Sequence, residues 1–398
     1  MFQDQSGEQG QGTGGSGNGT ETTQPTQETN TTEPDTGSGS GANIDVNSLI
    51  SEAYSGCPSV PTAPKYQYQN SPVNDSAYLG GRDIQFYSLG DEKKTGVIYV
   101  PTFGPVDSNT GETSDACTER WVVDLYLGFK NFTKARVEKI LIDTSSNGGG
   151  QVLLNQFFQR YLTGEKFEID LNFDTLLRKS PLAQGLLAAN IKNGNNDTSN
   201  NIYYPAKYRN GSSLIAASTD IFNPGNLYTI NGETLETSNE LMDDVQTIDQ
   251  YEGPLNISDT PPYSPSQIVF TGNGLCGSAC SSFTNFLIEY YNATAYIAAG
   301  RPQNPIEFQA FAAGQATSSE DILKEAVSVN YTDYATLPPL QVKGKFGFAI
   351  RGAISPNIAP GTFLQYRSYP AQHTYGLTTE QFLDPIKNWK YVASQVFG

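Results

Sequence analysis

Two short stretches carry the residue types that could do chemistry. The first, Asn147-Gly148-Gly149-Gly150, follows the apolar run KILID and precedes the amphipathic run QVLLNQFFQRYL. Consecutive glycines let backbone N–H groups turn toward one point, and a helix N-terminus adds partial positive charge. Such a nest suits a phosphate or a developing oxyanion, although a plain tight turn has the same composition. The second stretch, Cys276-Gly277-Ser278-Ala279-Cys280, lies between QIVFTG and an apolar helical pattern. Ser278 at a strand-to-helix turn has the placement of a nucleophile elbow, though the G-x-S-x-G pattern is not matched. The N–H of Ala279 would then be an oxyanion donor. The competing assignment is an ordinary helix N-cap, a role serine often takes.

A serine nucleophile needs a group to take its proton. The chain contains one histidine, His373, far downstream of Ser278. Imidazole is the side chain best suited to that task near neutral pH. Its place in the C-terminal stretch instead favours a surface or packed structural histidine. Glu320 and Glu325, acids upstream of the strand-like run KFGFAIRGAI, read as solvated helix residues. The four cysteines offer no metal-ligand spacing with a histidine nearby, so no metal site is expected and no organic cofactor is implied.

The elements that must position these loops alternate between strand and helix. GVIYVPTF, KILID, QIVFTG and TAYIAAG read as buried strands. TERWVVDLYLGF, QVLLNQFFQRYL and SACSSFTNFLIEYY carry apolar residues at helical spacing. That alternation predicts an α/β fold with a mainly parallel sheet, in which ligands sit at the carboxyl ends of strands. Both chemical loops fall at such ends. Residues 164–265, with the helical run PLAQGLLAANIKN, read as an insertion or lid within a core spanning 96–398. The tail TTEQFLDPIKNWKYVASQV reads as a terminal helix interrupted by proline.

Upstream, residues 1–46 are a low-complexity Gly, Ser, Thr, Gln and Glu stretch, expected to be a disordered linker. Residues 47–95 read as an irregular connecting segment with an edge strand. The net charge of −17 disfavours nucleic acid and anionic membrane as partners. No apolar run approaches the roughly 20 residues of a membrane span. Nine N-x-S/T sequons and an even set of four cysteines suggest an extracellular glycoprotein, with Cys57–Cys117 the favoured pairing of three. No signal peptide is visible in the N-terminal residues, so the true N-terminus is expected to lie upstream.

The order strand–D-x-x-x-N-x-G-G–helix, then strand–G-x-x-S-A-x-x–helix–strand–G-R-P, resembles the C-terminal processing, or tail-specific, serine proteases. It is most similar to their secreted fungal-type and chlamydial protease-like activity factor branch. The matching stretches are IDTSSNGGGQVLL, GNGLCGSACSSF and AYIAAGRPQ. The resemblance implies a crotonase/ClpP-like β-spiral core and Ser278 as nucleophile in peptide-bond hydrolysis. It implies an oxyanion hole from the N–H groups of Gly149 and Ala279. Gly148 and Gly150 are near substitutes, and Asn147 supports the loop. Two features depart from the family. The stretch GRPQNPIEFQ has Gln303 and Ile306 where one branch carries a lysine base, and no histidine lies upstream of the first core strand as in the other. The chain is therefore expected to be a serine peptidase whose base lies in an upstream segment, or a pseudoprotease that holds extended peptides by strand addition. Protein or peptide is the expected partner in either case. An acyl-thioester or phosphate site is the least favoured reading, because no basic cluster accompanies the glycine nest.

Overall fold

A computed structural model describes residues 46–57, 77–105, 115–164, 174–193, 201–210, 213–230, 232–243, 255–299, 306–309, 316–331, 347–354, 363–364, 367 and 369–398. Two compact units divide the chain, Met1–Ala42 and Asn43–Gly398, and every described residue lies in the second. The linker expected over 1–46 falls outside the described residues except for Val46.

Helix α1 (Val46–Gly56) is followed by strands β1 (Ala77–Gly80), β2 (Gln85–Ser88) and β3 (Thr95–Tyr99), which form an antiparallel meander. The stretch read as irregular thus supplies a helix and two strands, with β1 at the sheet edge. Helix α2 (Asp115–Ala135) leads into β4 (Lys139–Asp143), and α3 (Val152–Thr163) leaves it. The insertion contains α4 (Pro181–Asn193). Then come β5 (Ile268–Gly272), α5 (Ala279–Glu289), β6 (Thr294–Ala298) and α6 (Ser319–Ser328). Strand β7 (His373–Tyr375) precedes α7 (Thr379–Leu383) and α8 (Pro385–Val396). The expected terminal helix is broken at Pro385, whose missing N–H suits a helix start. There Asp384 caps α8 by accepting the Ile386 N–H at 3.0 Å.

These seven strands form one sheet in chain order, antiparallel from β1 to β3 and parallel from β3 to β7, and the other strands of the described residues form smaller sheets. Stepping always in one direction with connections of one hand puts successive crossover helices on the same face. The burial pattern follows. Ile98, Ile140, Ile142, Ile268, Phe270 and Ile297 point to the face covered by Trp121, Phe129, Phe158 and Phe283 from α2, α3 and α5. The alternate residues Val97, Leu141, Val269 and Tyr296 point to the opposite face, covered by Ile386, Trp389 and Val392 of α8. The inner strands β3 to β6 are therefore apolar on both sides, which explains the continuous apolar runs in their sequences.

Helices α3 and α5 each begin just after one of the two chemical loops, and they pack against each other. Phe158 stacks on Phe283 with ring centroids 4.8 Å apart. That contact fixes the distance between the loops; truncating either ring would cost roughly 3–5 kcal/mol.

The insertion has a small core of its own, with Leu186, Leu187, Tyr203 and Tyr208 packed against Ile322 and Ala326 of α6. Glu325, expected from sequence to be solvated, is instead 1% exposed. Its carboxylate accepts the Ile202 and Tyr203 N–H groups at 2.7 and 2.9 Å and the Asn190 amide at 2.9 Å. A charge count on a helix could not reveal that two backbone donors from a distant loop would dock on it. Burial nevertheless holds its carboxyl above the usual range.

Two disulfides form, Cys57–Cys117 and Cys276–Cys280. The first joins the end of α1 to α2 across a sequence separation of 60, the second spans a separation of 4. By loop-closure entropy the long loop contributes ~4 kcal/mol and the short one ~2 kcal/mol. Beside the long one, Arg120 pairs bidentately with Asp83 at 2.8 and 3.0 Å, both residues buried. Asp124 accepts the Tyr54 hydroxyl and the Arg82 and Asp83 N–H groups, and burial pushes its carboxyl up to about 6.

Candidate active site

Strands β4 and β5 are parallel neighbours with Asp143 opposite Thr271, so the loops leaving them emerge side by side. Polar bonds stitch the loops together. The Thr144 N–H donates to the Thr271 carbonyl at 3.0 Å. Asn273 Oδ1 accepts the N–H groups of Ser146 and Leu275 at 3.0 and 3.1 Å. Asn147 is fully buried and ties three segments. Its Nδ2 donates to the Val100 carbonyl at 2.9 Å, and its Oδ1 accepts the Gly149 N–H at 2.8 Å. Its own carbonyl accepts the Gly277 N–H at 3.0 Å.

These bonds press the glycine loop against the serine turn. Gly149 has φ +109°, and a Cβ there would lie 2.6 Å from Ser278 Cβ, 2.7 Å from the Gly277 oxygen and 3.0 Å from the Ala279 nitrogen. Only glycine permits both that backbone angle and that approach. The Gly149 carbonyl is held by the Phe103 N–H at 2.8 Å and the Thr102 hydroxyl at 2.9 Å. Gly148 is exposed and faces open space. Among the described residues, the N–H groups of Gly148, Gly150 and Ala279 donate to nothing, whereas that of Gly149 is held by Asn147. The Ala279 N–H is one of the orphan donors that every helix N-terminus carries.

Ser278 occupies the N-cap position of α5 but does not behave as a cap. Its angles are φ +51° and ψ −121°, and its side chain makes no capping bond. The caps elsewhere in the chain show the contrast. Ser318 (φ −123°, ψ 156°) and Thr378 (φ −76°, ψ 161°) lie in the extended region and accept the N–H three residues on. Ser278 Oγ has no hydrogen-bond partner among the described residues, and the residue is half-buried. A non-glycine residue in such a conformation costs ~1–3 kcal/mol and persists only where the surroundings impose it. The turn is thus strained, and its hydroxyl is left available. On α5, the Ser281 hydroxyl and Asn285 Nδ2 both donate to Gln309 Oε1, the latter at 3.0 Å, drawing the segment after β6 onto the helix. Sequence reading missed the anchoring by Asn273 and Gln309, since neither lies in a pattern that pairs it with its partner.

His373 is placed elsewhere. It is exposed on the edge strand β7, opposite Tyr296, with ring centroids 5.5 Å apart. It lines a groove with Ile268, Thr294 and Phe397, at the amino ends of β5 and β6 and on the α8 face. Ser278 lies beyond the carboxyl end of β5, and α5 covers the other face. The structure therefore does not bring His373 and Ser278 together. Ile306 lies against the serine loop, its Cδ1 3.3 Å from where a Gly274 Cβ would be; Gln303 falls outside the described residues. Asp143, at the end of β4, accepts the Trp389 indole N–H at 2.6 Å and the Ser145 N–H at 2.8 Å, and burial raises its carboxyl. No group of three or more metal-ligating side chains occurs among the described residues.

No model of a known protein family matches the sequence, and no curated protein matches it. Solved structures do. Mature CPAF complexed with lactacystin is similar at 14% identity and TM-score 0.41, covering 84% of this chain and 61% of that one. A candidate peptidase from Parabacteroides merdae is similar at 10% identity and TM-score 0.41, covering 81% and 66%. The photosystem II D1 C-terminal processing protease is similar at 11% identity and TM-score 0.29, covering 77% and 49%. The chain thus spans between about half and two thirds of the length of these proteins.

Proposed function

We propose that this chain is a serine-type peptidase of the tail-specific kind, acting on protein or peptide substrates. The observation that carries the reading is Ser278: strained, uncapped, and pressed against Gly149. Its Oγ would attack the scissile carbonyl carbon, giving a tetrahedral intermediate whose oxygen carries the negative charge. The Ala279 N–H, at the positive end of α5, is one donor to that oxygen. The glycine loop supplies the second. Gly149 does so by sharing or exchanging its bond to Asn147 Oδ1, with the N–H groups of Gly148 and Gly150 adjacent. Collapse of the intermediate expels the amine and leaves an acyl-enzyme that water hydrolyses. The base that takes the Ser278 proton is not among the groups bonded to it.

The one-directional parallel sheet with its crossover helices on one face supports a crotonase/ClpP-like core over 96–398, interrupted by the insertion at 164–265. Two disulfides and exposed sequons support a secreted glycoprotein. Among the described residues no helix is long and apolar enough to cross a membrane. The separation of His373 from Ser278 favours, as second reading, a pseudoprotease that binds extended peptides without cleaving them.

A fluorophosphonate probe separates the two. Labelling that disappears in Ser278→Ala and persists in His373→Ala is the result expected of the enzyme. Absence of Ser278-dependent labelling, with an extended peptide still bound, is the result expected of the pseudoprotease.

A further inference from the structure

Two cysteines flank Ser278 and take no part in the proposed chemistry, yet they bond to each other across it. Cys276 and Cys280 are 2% and 0% exposed, and only Gly277, Ser278 and Ala279 lie between them. A ring this small removes little chain entropy compared with the long Cys57–Cys117 loop, so its main effect is local. Both sulfurs are shielded from solvent, so the bond is poorly placed to act as an exchangeable redox sensor.

The local effect falls on one residue. Cys280 lies in the first turn of α5, its N–H donating to the Gly277 carbonyl at 3.0 Å. Cys276 Sγ lies 3.6 Å from Thr284 Oγ1, one turn further along the same helix. The disulfide therefore lays the incoming chain back along the helix it is about to enter. To enter α5 from there, the chain must reverse within three residues, and Ser278 makes that reversal at φ +51°. On the other flank, the Gly277 N–H is held by the Asn147 carbonyl at 3.0 Å. Without the covalent tie, the Asn147 bond and the Gly149 contact hold the glycine-loop side of the turn but do not tie Cys276 to α5, and Ser278 is freer to leave an angle that L-residues avoid. The alternative is at hand in the same chain: Ser318 and Thr378 adopt the extended cap conformation and bond the N–H three residues on.

We propose that the Cys276–Cys280 disulfide is a positioning element that holds Ser278 in the elbow conformation and out of the helix-cap conformation. This rests on the reading of Ser278 as nucleophile. The cap conformation would turn Oγ onto the first turn of α5 and engage it there, so a loosened turn loses its reactive hydroxyl.

The test uses the full chain and the variant Cys276→Ala/Cys280→Ala, each with and without Ser278→Ala, leaving Cys57–Cys117 intact. Fluorophosphonate acylation is timed and thermal unfolding is recorded for all four. The expected result is Ser278-dependent labelling of the intact protein, slower by about 10²-fold in the disulfide-free variant, which still unfolds cooperatively. Ser278→Ala should lower the thermal midpoint only in the disulfide-free background, where the serine has become a cap. A folded disulfide-free variant labelled at the intact rate would overturn the proposal. So would a Ser278→Ala effect on the midpoint that is the same in both backgrounds. Absence of labelling in the intact protein would overturn the nucleophile reading, while the midpoint comparison still decides whether the disulfide sets the conformation. Should the double variant not fold, the intact protein is reduced partially and alkylated. Labelling is then compared, by mass spectrometry, between molecules with Cys276–Cys280 open and closed, with the same two outcomes.

Discussion

Replacing Gly149 by alanine is the sharpest probe of the contact between the two loops. A methyl group there would meet Ser278 Cβ at 2.6 Å and the Gly277 oxygen at 2.7 Å. Ordinary carbon contacts lie near 3.5–4.0 Å, so the serine turn or the glycine loop must retreat by roughly 1 Å. Alanine at φ +109° adds backbone strain of ~1–3 kcal/mol. Misplacing a reacting group by about 1 Å can cost on the order of 10²-fold in rate. Gly149→Ala should therefore lower the second-order rate of fluorophosphonate acylation by about 10²-fold and the thermal midpoint by a few degrees. The control is one residue away. A methyl group at Gly148 meets nothing within 4 Å, so Gly148→Ala should change acylation by no more than about twofold, as surface substitutions do. Rates are measured below saturation, with folding verified by circular dichroism. Wild-type acylation in folded Gly149→Ala, or an equal loss in Gly148→Ala, would refute the packing argument for the site.

Further outcomes are expected. Asp124, Asp143 and Glu325 all have carboxyls raised by burial, so the folded state binds more protons than the unfolded state. Their contribution to stability is present below the ordinary carboxylate range and is lost as pH rises, for Asp124 through about 6. Chemical denaturation should show stability falling between pH 5 and pH 7.5, by roughly 1.4 kcal/mol from Asp124, and Asp124→Asn should flatten that slope; an unchanged slope would remove Asp124 from the account. Cys57→Ala/Cys117→Ala should cost ~4 kcal/mol while leaving acylation per folded molecule intact, since neither cysteine lies in the two chemical loops. Acylation falling in step with stability would contradict that separation. Asn131 Nδ2 donates to the Leu79 carbonyl at 2.8 Å, whereas Asn210, Asn256, Asn292 and Asn330 are exposed. Peptide mapping of protein secreted from eukaryotic cells should find glycan on the latter and little at Asn131; full occupancy at Asn131 would show that its bond to Leu79 does not protect it.

Much of the frame could be read from the chain alone. The runs KILID and QIVFTG had to be strands, because they are continuously apolar, short and bounded by turn residues, and the structure shows both of their faces covered. The helices α2, α3 and α5 followed from apolar residues at helical spacing, and PLAQGLLAANIKN matched α4 to the residue. The pairing Cys57–Cys117 was also favoured in advance. The strands and helices are local properties that local sequence carries, whereas the disulfide joins cysteines 60 residues apart and was one of three possible pairings.

What the sequence could not decide is whatever depends on two distant segments meeting. Serine before a helix is compatible with a cap or a nucleophile, and the composition of the turn is the same for both. Only the folded chain, with Gly149 against Ser278 Cβ, Asn147 gripping Gly277 and the disulfide across the turn, forces the angle that excludes the cap. Glu325 looked solvated because its own helix says nothing of the Ile202 and Tyr203 N–H groups that dock on it. His373 was a conceivable base until the parallel pairing of β6 and β7 set it at the amino ends of the strands. Residue types and periodicity determine which elements form and which groups are capable of chemistry. Register, close approach and burial decide which of those groups share a site, because they depend on pairings far apart in the chain.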